Sequence, residues 1–206
     1  MIFQDYYSTP LVRETCHQLK EAEAQGDRIE ALERAARYLS EEGGIDNTCY
    51  LIPTPQHTGR AVYTRDLCEK ISGMTAAAVL DIVRCHPHDP MYVQKQGIAD
   101  GSPEAEFYLE GILPEHGKLL LIDNVIATGE TFNRIRALIG RRLQPMPYAV
   151  DYTRLKDEKL LFQLLAAASP PPSHSNKPPI LREAYRRKGN HTRYQRRNEL
   201  RKPPIP

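Results

Sequence analysis

The chain has 206 residues, enough for one domain with a real core plus extensions. Apolar residues make up 40%, and no run reaches the roughly 18 needed to span a membrane, so no membrane helix is expected. A net charge of +2 hides an asymmetry. Residues 170–206 carry ten Lys/Arg against two Glu, or +8, leaving eighteen Lys/Arg against twenty-four Asp/Glu, or −6, for residues 1–169.

The first residues, MIFQDYYSTPLVRET, lack the basic-then-apolar layout of a signal peptide. Four cysteines (Cys16, Cys49, Cys68, Cys85) have no CxxC spacing and read as buried free thiols. Both features lead to the expectation of a cytoplasmic protein. Residues 1–26 are polar and mixed, with a helix expected over 12–24. Asp27 to Glu42 is a second helix, with Ile29, Leu32, Ala35, Ala36 and Leu39 at helical spacing and Gly43-Gly44 closing it. Cys49 to Ile52 reads as a strand halted by Pro53-Thr54-Pro55. A loop, Gln56 to Arg60, leads into a helix over 61–72.

Ala76 to Val83 fits either a strand or a helix end, and Val79 to Arg84 is taken as strand. Residues 85–117 are polar, contain Gly and Pro, and are long for a connection inside a domain, which predicts a functional lid. Leu119 to Ile122 is a continuous apolar run, read as a strand buried on both faces and ending at Asp123-Asn124. Thr128-Gly129-Glu130-Thr131 then feeds a helix running to about Arg142. Such a turn aims backbone N–H groups at one point, at the positive end of a helix dipole, and forms a phosphate cradle. Met146 to Tyr152 is another strand, and Leu155 to Ala168 a helix. From Ser169 the chain is rich in Pro and Arg and reads as a disordered basic tail. Alternating strand and helix predict an α/β fold with a parallel central sheet. The expected divisions are a 1–26 extension, a 27–168 domain and a 169–206 tail.

The stretch LLLIDNVIATGET resembles the phosphoribosyl pyrophosphate (PRPP) motif of type I phosphoribosyltransferases: four apolar residues, an acid, usually a second acid, a short mostly apolar link, then Thr-Gly-x-Thr/Ser. The upstream segment YLIPTPQHTGRAVYTRDLCEKI is similar to the ComF-type competence proteins and the related amidophosphoribosyltransferase-like branch. The resemblance covers about residues 48–153. It implies a type I phosphoribosyltransferase fold with a small variable hood. It implies that Asp123 bonds the ribose hydroxyls of PRPP, with Asn124 in the place of the usual second acid. Ala127, Thr128, Gly129, Glu130 and Thr131 would wrap the 5′-phosphate. His57, Thr58, Gly59 and Arg60 would face the pyrophosphate, with Arg65 further along, and Gln94 and Lys95 would belong to a closing flap. Mg²⁺ would be bound mainly through PRPP, with no direct protein ligand. Ala127 stands where hypoxanthine/guanine enzymes have Asp, which argues against that substrate class.

Other constellations carry less. Cys85-His86-Pro87-His88-Asp89 has no second Cys/His group at zinc-like spacing and reads as a loop. Neither a Ser-His-Asp elbow nor a P-loop lysine is present, since Gly129 is followed by Glu130. The expected activity is transfer of phosphoribosyl from PRPP to a nitrogenous base or amine. The alternative is a non-catalytic PRPP or nucleotide sensor, or a ComF-like DNA-handling protein. The tail, with Tyr185 and Tyr194 among its arginines, is either a nucleic-acid contact or a solubilising terminus. A homodimer is a further expectation.

Overall fold

The computed structural model describes residues 3–21, 25–88 and 106–168. The chain divides into two units, residues 1–168 and 169–206, and the second lies outside the described residues. The expected disordered tail and its nucleic-acid role therefore fall outside them, as do Gln94, Lys95 and most of the expected lid.

The first unit is an α/β domain. In chain order its elements are β1 (Gln4–Asp5), α1 (Pro10–Glu21), α2 (Gln25–Glu42), β2 (Cys49–Pro53), α3 (Tyr63–Thr75), β3 (Ala78–Val79), β4 (Val83–Cys85), β5 (Phe107–Leu109), β6 (Lys118–Ile126), α4 (Glu130–Ile139), β7 (Leu143–Val150) and α5 (Glu158–Ala168). Five strands form one sheet in the order β1-β7-β6-β2-β3, every pair parallel. β4 and β5 form a separate antiparallel pair.

β6 is the centre of this sheet, and its sequence shows why. Neighbouring residues of a strand point to opposite faces, yet Leu119 to Ile122 are all 3% exposed or less, so both faces are covered. Each such side chain contributes about 1.5–3 kcal/mol on leaving water. Helix ends are set by local chemistry. Thr9 Oγ1 accepts from Val12 N–H ahead of Pro10 in the first turn of α1. Asp157 Oδ1 accepts from Leu160 N–H and caps α5.

Several boundaries differ from the sequence reading. The segment 79–84 is not one strand. β3 pairs with β2, the chain leaves the sheet at Asp81, and β4 joins β5 instead. Arg84 explains the departure: its guanidinium, 12% exposed, reaches Asp81 at 2.6 Å and Glu110 beside β5 at 2.8 Å. β6 does not stop at Asp123 but runs on to Ile126. α4 ends at Ile139, where Gly140 N–H closes on Arg136 O. β7 begins at Leu143, earlier than expected, despite Pro145 and Pro147. A proline cannot donate, so their pairing with Leu121 and Asp123 runs through the flanking residues. The proline nitrogens then face the β1 side, where β1 pairs only with Ala149 and Val150.

Candidate functional site

β6 breaks its own alternation at the point where the acid stands. Ile122 O accepts from Thr54 N–H beyond β2, whereas Ile126 O accepts from Asp151 N–H beyond β7. Residues four apart in a regular strand face the same neighbour, so β6 rolls over between them. The ladder accordingly has no Asn124 pair between Asp123↔Pro147 and Val125↔Ala149. The released N–H groups are taken by side chains: Asn124 N–H donates to Asp123 Oδ1 and Val125 N–H to Asn124 Oδ1, each at 2.8 Å. Irregularities of this kind recur beside functional sites, where they re-aim a side chain.

The roll turns Asp123 and Asn124 to different tasks. Asp123 is half-buried in the wall of a cavity. Burial pushes its carboxyl up to about 7, against the opposing pull of the Asn124 and Val125 N–H groups and the Lys20 charge. Asn124 is 4% exposed and points inward. Its Nδ2 donates to Cys16 O at 3.1 Å, and its Oδ1 accepts from Tyr63 O–H at 3.2 Å. Cys16 Sγ–H in turn donates to Asn124 O at 3.5 Å. Asn124 thus stitches β6 to α1 and α3. The position needs a donor toward Cys16 and an acceptor toward Tyr63 and Val125, which an amide supplies and an ionised carboxylate does not. The departure from the two-acid pattern has this packing cause.

After Ile126 the chain turns through Ala127 to Gly129 into α4. Gly129 precedes α4 with φ +82°, and a Cβ there would lie 2.4 Å from Leu160 Cδ2 of α5. Only glycine meets both demands. The turn is buttressed from α5: Asn133 Nδ2 donates to the cap residue Asp157 at 2.6 Å, and Arg136 reaches Gln163 at 2.6 Å. Glu130 and Arg134 pair one helical turn apart at 2.9 Å.

The second loop follows β2. Gln56 N–H donates to Arg60 O and Gly59 N–H to Gln56 O, closing it on itself. The end of β4 anchors it: Cys85 N–H donates to Gly59 O, Cys85 Sγ–H to Gln56 O at 3.0 Å, and His88 N–H to His57 O. Gly59, at φ +109°, is buried, and a Cβ there would meet Cys85 O at 3.0 Å.

One cavity of about 330 Å³ opens where these pieces meet, beyond the C-terminal ends of β2 and β6. That is where open α/β sheets bind ligands, and the volume suits a small molecule. Asp123, Asn124 and the whole turn Ala127 to Thr131 line it, and His57 faces them. Thr58, Gly59 and Arg60 are not among its lining residues, and Arg60 is exposed. The structure therefore gathers the acid, the phosphate-shaped turn and His57, and leaves the expected pyrophosphate arginine outside.

The cavity also holds residues that sequence reasoning missed: Lys20 of α1, Tyr63 of α3, His88, Phe107 of β5, Arg134 of α4 and Arg154 after β7. Some had a signal. Lys20 lies one helical turn past Cys16, on the same face. Arg154 follows the C-terminal end of a central parallel strand, where binding residues collect. Phe107 carried none, since the antiparallel β4–β5 pair was not anticipated. Three strong cations against Asp123 and an Arg-paired Glu130 suit an anionic ligand. Burial raises the Tyr63 hydroxyl well above its usual range, so it remains a donor to Asn124.

A more open hollow of about 630 Å³ lies beside β1 and α1, lined by Tyr6, Tyr7, Pro10, Arg13, Glu14 and His17. It offers no comparable turn. Among the described residues no group of three or more His, Cys, Asp or Glu is placed to hold a metal ion, and no helix is long and apolar enough to cross a membrane. No protein-family model matches the chain, and no curated protein matches it.

Proposed function

We propose that the chain is a phosphoribosyltransferase of the type I fold, moving the phosphoribosyl group of PRPP to a nitrogenous base or amine with release of pyrophosphate. The observation that carries this reading is the meeting of Asp123 and the Thr128–Thr131 turn in one cation-lined cavity at the C-terminal edge of a parallel sheet. The 5′-phosphate sits on the turn, where Gly129 allows close backbone approach and the α4 dipole favours negative charge. The Asp123 carboxylate accepts from the ribose 2′- and 3′-hydroxyls. As the C1–O bond breaks, positive charge develops on the ribose. The chain's work is to fix the sugar, hold the departing diphosphate and keep water out, more than to supply a strong base.

Mg²⁺ would be carried by the ligand: the diphosphate and water supply the hard oxygens this ion favours, while Asp123 in the cavity wall is kept for the ribose hydroxyls. When bound, Mg²⁺ supplies neutralising charge for the leaving diphosphate. With the Asp123 carboxyl at about 7, the ionised form that accepts from the ribose prevails above that pH. Activity is therefore expected to rise as pH passes through about 7.

The second reading, a non-catalytic PRPP or nucleotide sensor, is favoured by Asn124: an amide, held inward by Cys16 and Tyr63, stands where the motif usually has a second acid, so Asp123 is the only carboxylate of the pair. One assay separates the two. Protein, PRPP and Mg²⁺ are incubated with a panel of nitrogenous bases and amines, and pyrophosphate is measured. Release with one acceptor supports the enzyme. PRPP binding without release from any acceptor supports the sensor.

A further inference from the structure

We infer that Lys20, carried by the N-terminal helix, holds the diphosphate of the ligand in the place expected of Arg60. The inference rests on the PRPP reading and deepens it. α1 lies outside the segment that resembles the family, yet it is stitched to β6 beside the candidate acid. Cys16 accepts from the Asn124 side chain through its carbonyl and donates to the Asn124 carbonyl through its thiol. Cys16 is 2% exposed, so the joint is fixed. Lys20 stands four residues on, on the same helix face, and lines the cavity with Asp123. Its charge is felt by the Asp123 carboxyl.

The other cations of the cavity are differently placed. Arg134 pairs with Glu130 at the phosphate turn. Arg154 joins the cavity lining from the turn after β7, where its backbone N–H, not its guanidinium, donates to Asp151 Oδ1. Arg60 is exposed and is not part of the lining. The chemistry of the ligand then selects the group for Lys20. If Asp123 accepts from the 2′- and 3′-hydroxyls, C1 with its diphosphate adjoins the first and C4, leading to the 5′-phosphate, adjoins the second. With the 5′-phosphate on the Thr128–Thr131 turn, the diphosphate is the anion left for Lys20, whose charge reaches Asp123. A flexible ammonium suits a diphosphate that must be held and then released, since it follows the anion without demanding a fixed fork geometry.

The test measures affinity of the full chain, with Mg²⁺, for PRPP and for ribose 5-phosphate, which lacks the diphosphate. Wild type, K20M, K20R and R60M are compared by calorimetry. K20M is expected to weaken PRPP binding about tenfold, the scale of one charge-assisted hydrogen bond, and ribose 5-phosphate by less than about twofold. K20R should keep PRPP affinity within about threefold of wild type, and R60M should change neither ligand by more than about twofold. Lys20 is exposed, so its variants are expected to melt with wild type. Unchanged PRPP affinity in K20M overturns the inference and leaves the PRPP reading standing. So does a loss shared equally by both ligands, or a loss carried by R60M. Wild-type protein that binds PRPP no tighter than ribose 5-phosphate overturns the inference together with its diphosphate site.

Discussion

Replacing Asn124 with Asp restores the acid that the motif usually carries, and the structure predicts that this harms the protein. The side chain is 4% exposed, with Nδ2 3.1 Å from Cys16 O and Oδ1 2.8 Å from Val125 N. In N124D the donor becomes an oxygen facing the Cys16 carbonyl. The new oxygen has no donor there and is repelled by the carbonyl, a buried polar mismatch of about 1–3 kcal/mol, and burying the new charge adds to it. The expected loss at pH 8 is about 3 kcal/mol, a drop of about 1–2 M in the urea midpoint for a domain of this size. Burial raises the folded-state pKa of the introduced acid above its unfolded value near 4. Stability is then fully present below that unfolded value and falls as pH rises toward the folded one. At pH 4.5 the neutral carboxyl can donate to Cys16 O, so the loss shrinks to about 1 kcal/mol. Wild type carries its own Asp123 titration and is subtracted at each pH. Urea unfolding at pH 4.5 and 8, followed by far-UV circular dichroism, gives both differences. A stability equal to wild type at both values, with tighter PRPP binding, would refute the inward role of Asn124.

Two further substitutions test neighbouring parts of the frame. G129A forces a side chain into φ +82° and places its Cβ 2.4 Å from Leu160 Cδ2, so it should cost about 2–4 kcal/mol by urea unfolding and weaken phosphate binding; a wild-type midpoint would contradict the packing of α5 on the turn. Ala76 closes α3 at φ 60°, the only non-glycine positive φ among the described residues. A76G should therefore gain about 0.5–1 kcal/mol, read as a raised melting temperature, and a loss would show that the Ala76 methyl packs usefully.

The apolar runs Cys49–Ile52 and Leu119–Ile122 announced β2 and β6 because central parallel strands bury both faces. The continuation of β6 through Asp123 and Asn124 was hidden because polar residues normally end such a run. Here they remain in the strand by taking its free N–H groups onto their own side chains. β1 has two residues and exists only because β7 offers it an edge, so no local pattern could mark it. The split of 79–84 depended on Arg84 finding Glu110, 26 residues away. The turn Thr128–Thr131 was legible because its chemistry is local. Phe107 was not, since it enters the cavity from a strand pair whose placement is a tertiary fact, and the spacing of Lys20 from Cys16 marked a shared helix face without showing what that face meets. Arg60 shows the converse: adjacency to the right loop did not bring its side chain into the cavity lining.

The most direct test of the central claim is a crystal structure of the chain with PRPP and Mg²⁺. The 5′-phosphate is expected within hydrogen-bond distance, about 3 Å, of backbone N–H groups between Ala127 and Thr131. The ribose hydroxyls are expected on Asp123 and the diphosphate beside Lys20. A saturating soak that leaves the cavity without ligand, or that places PRPP away from the turn, would contradict that claim.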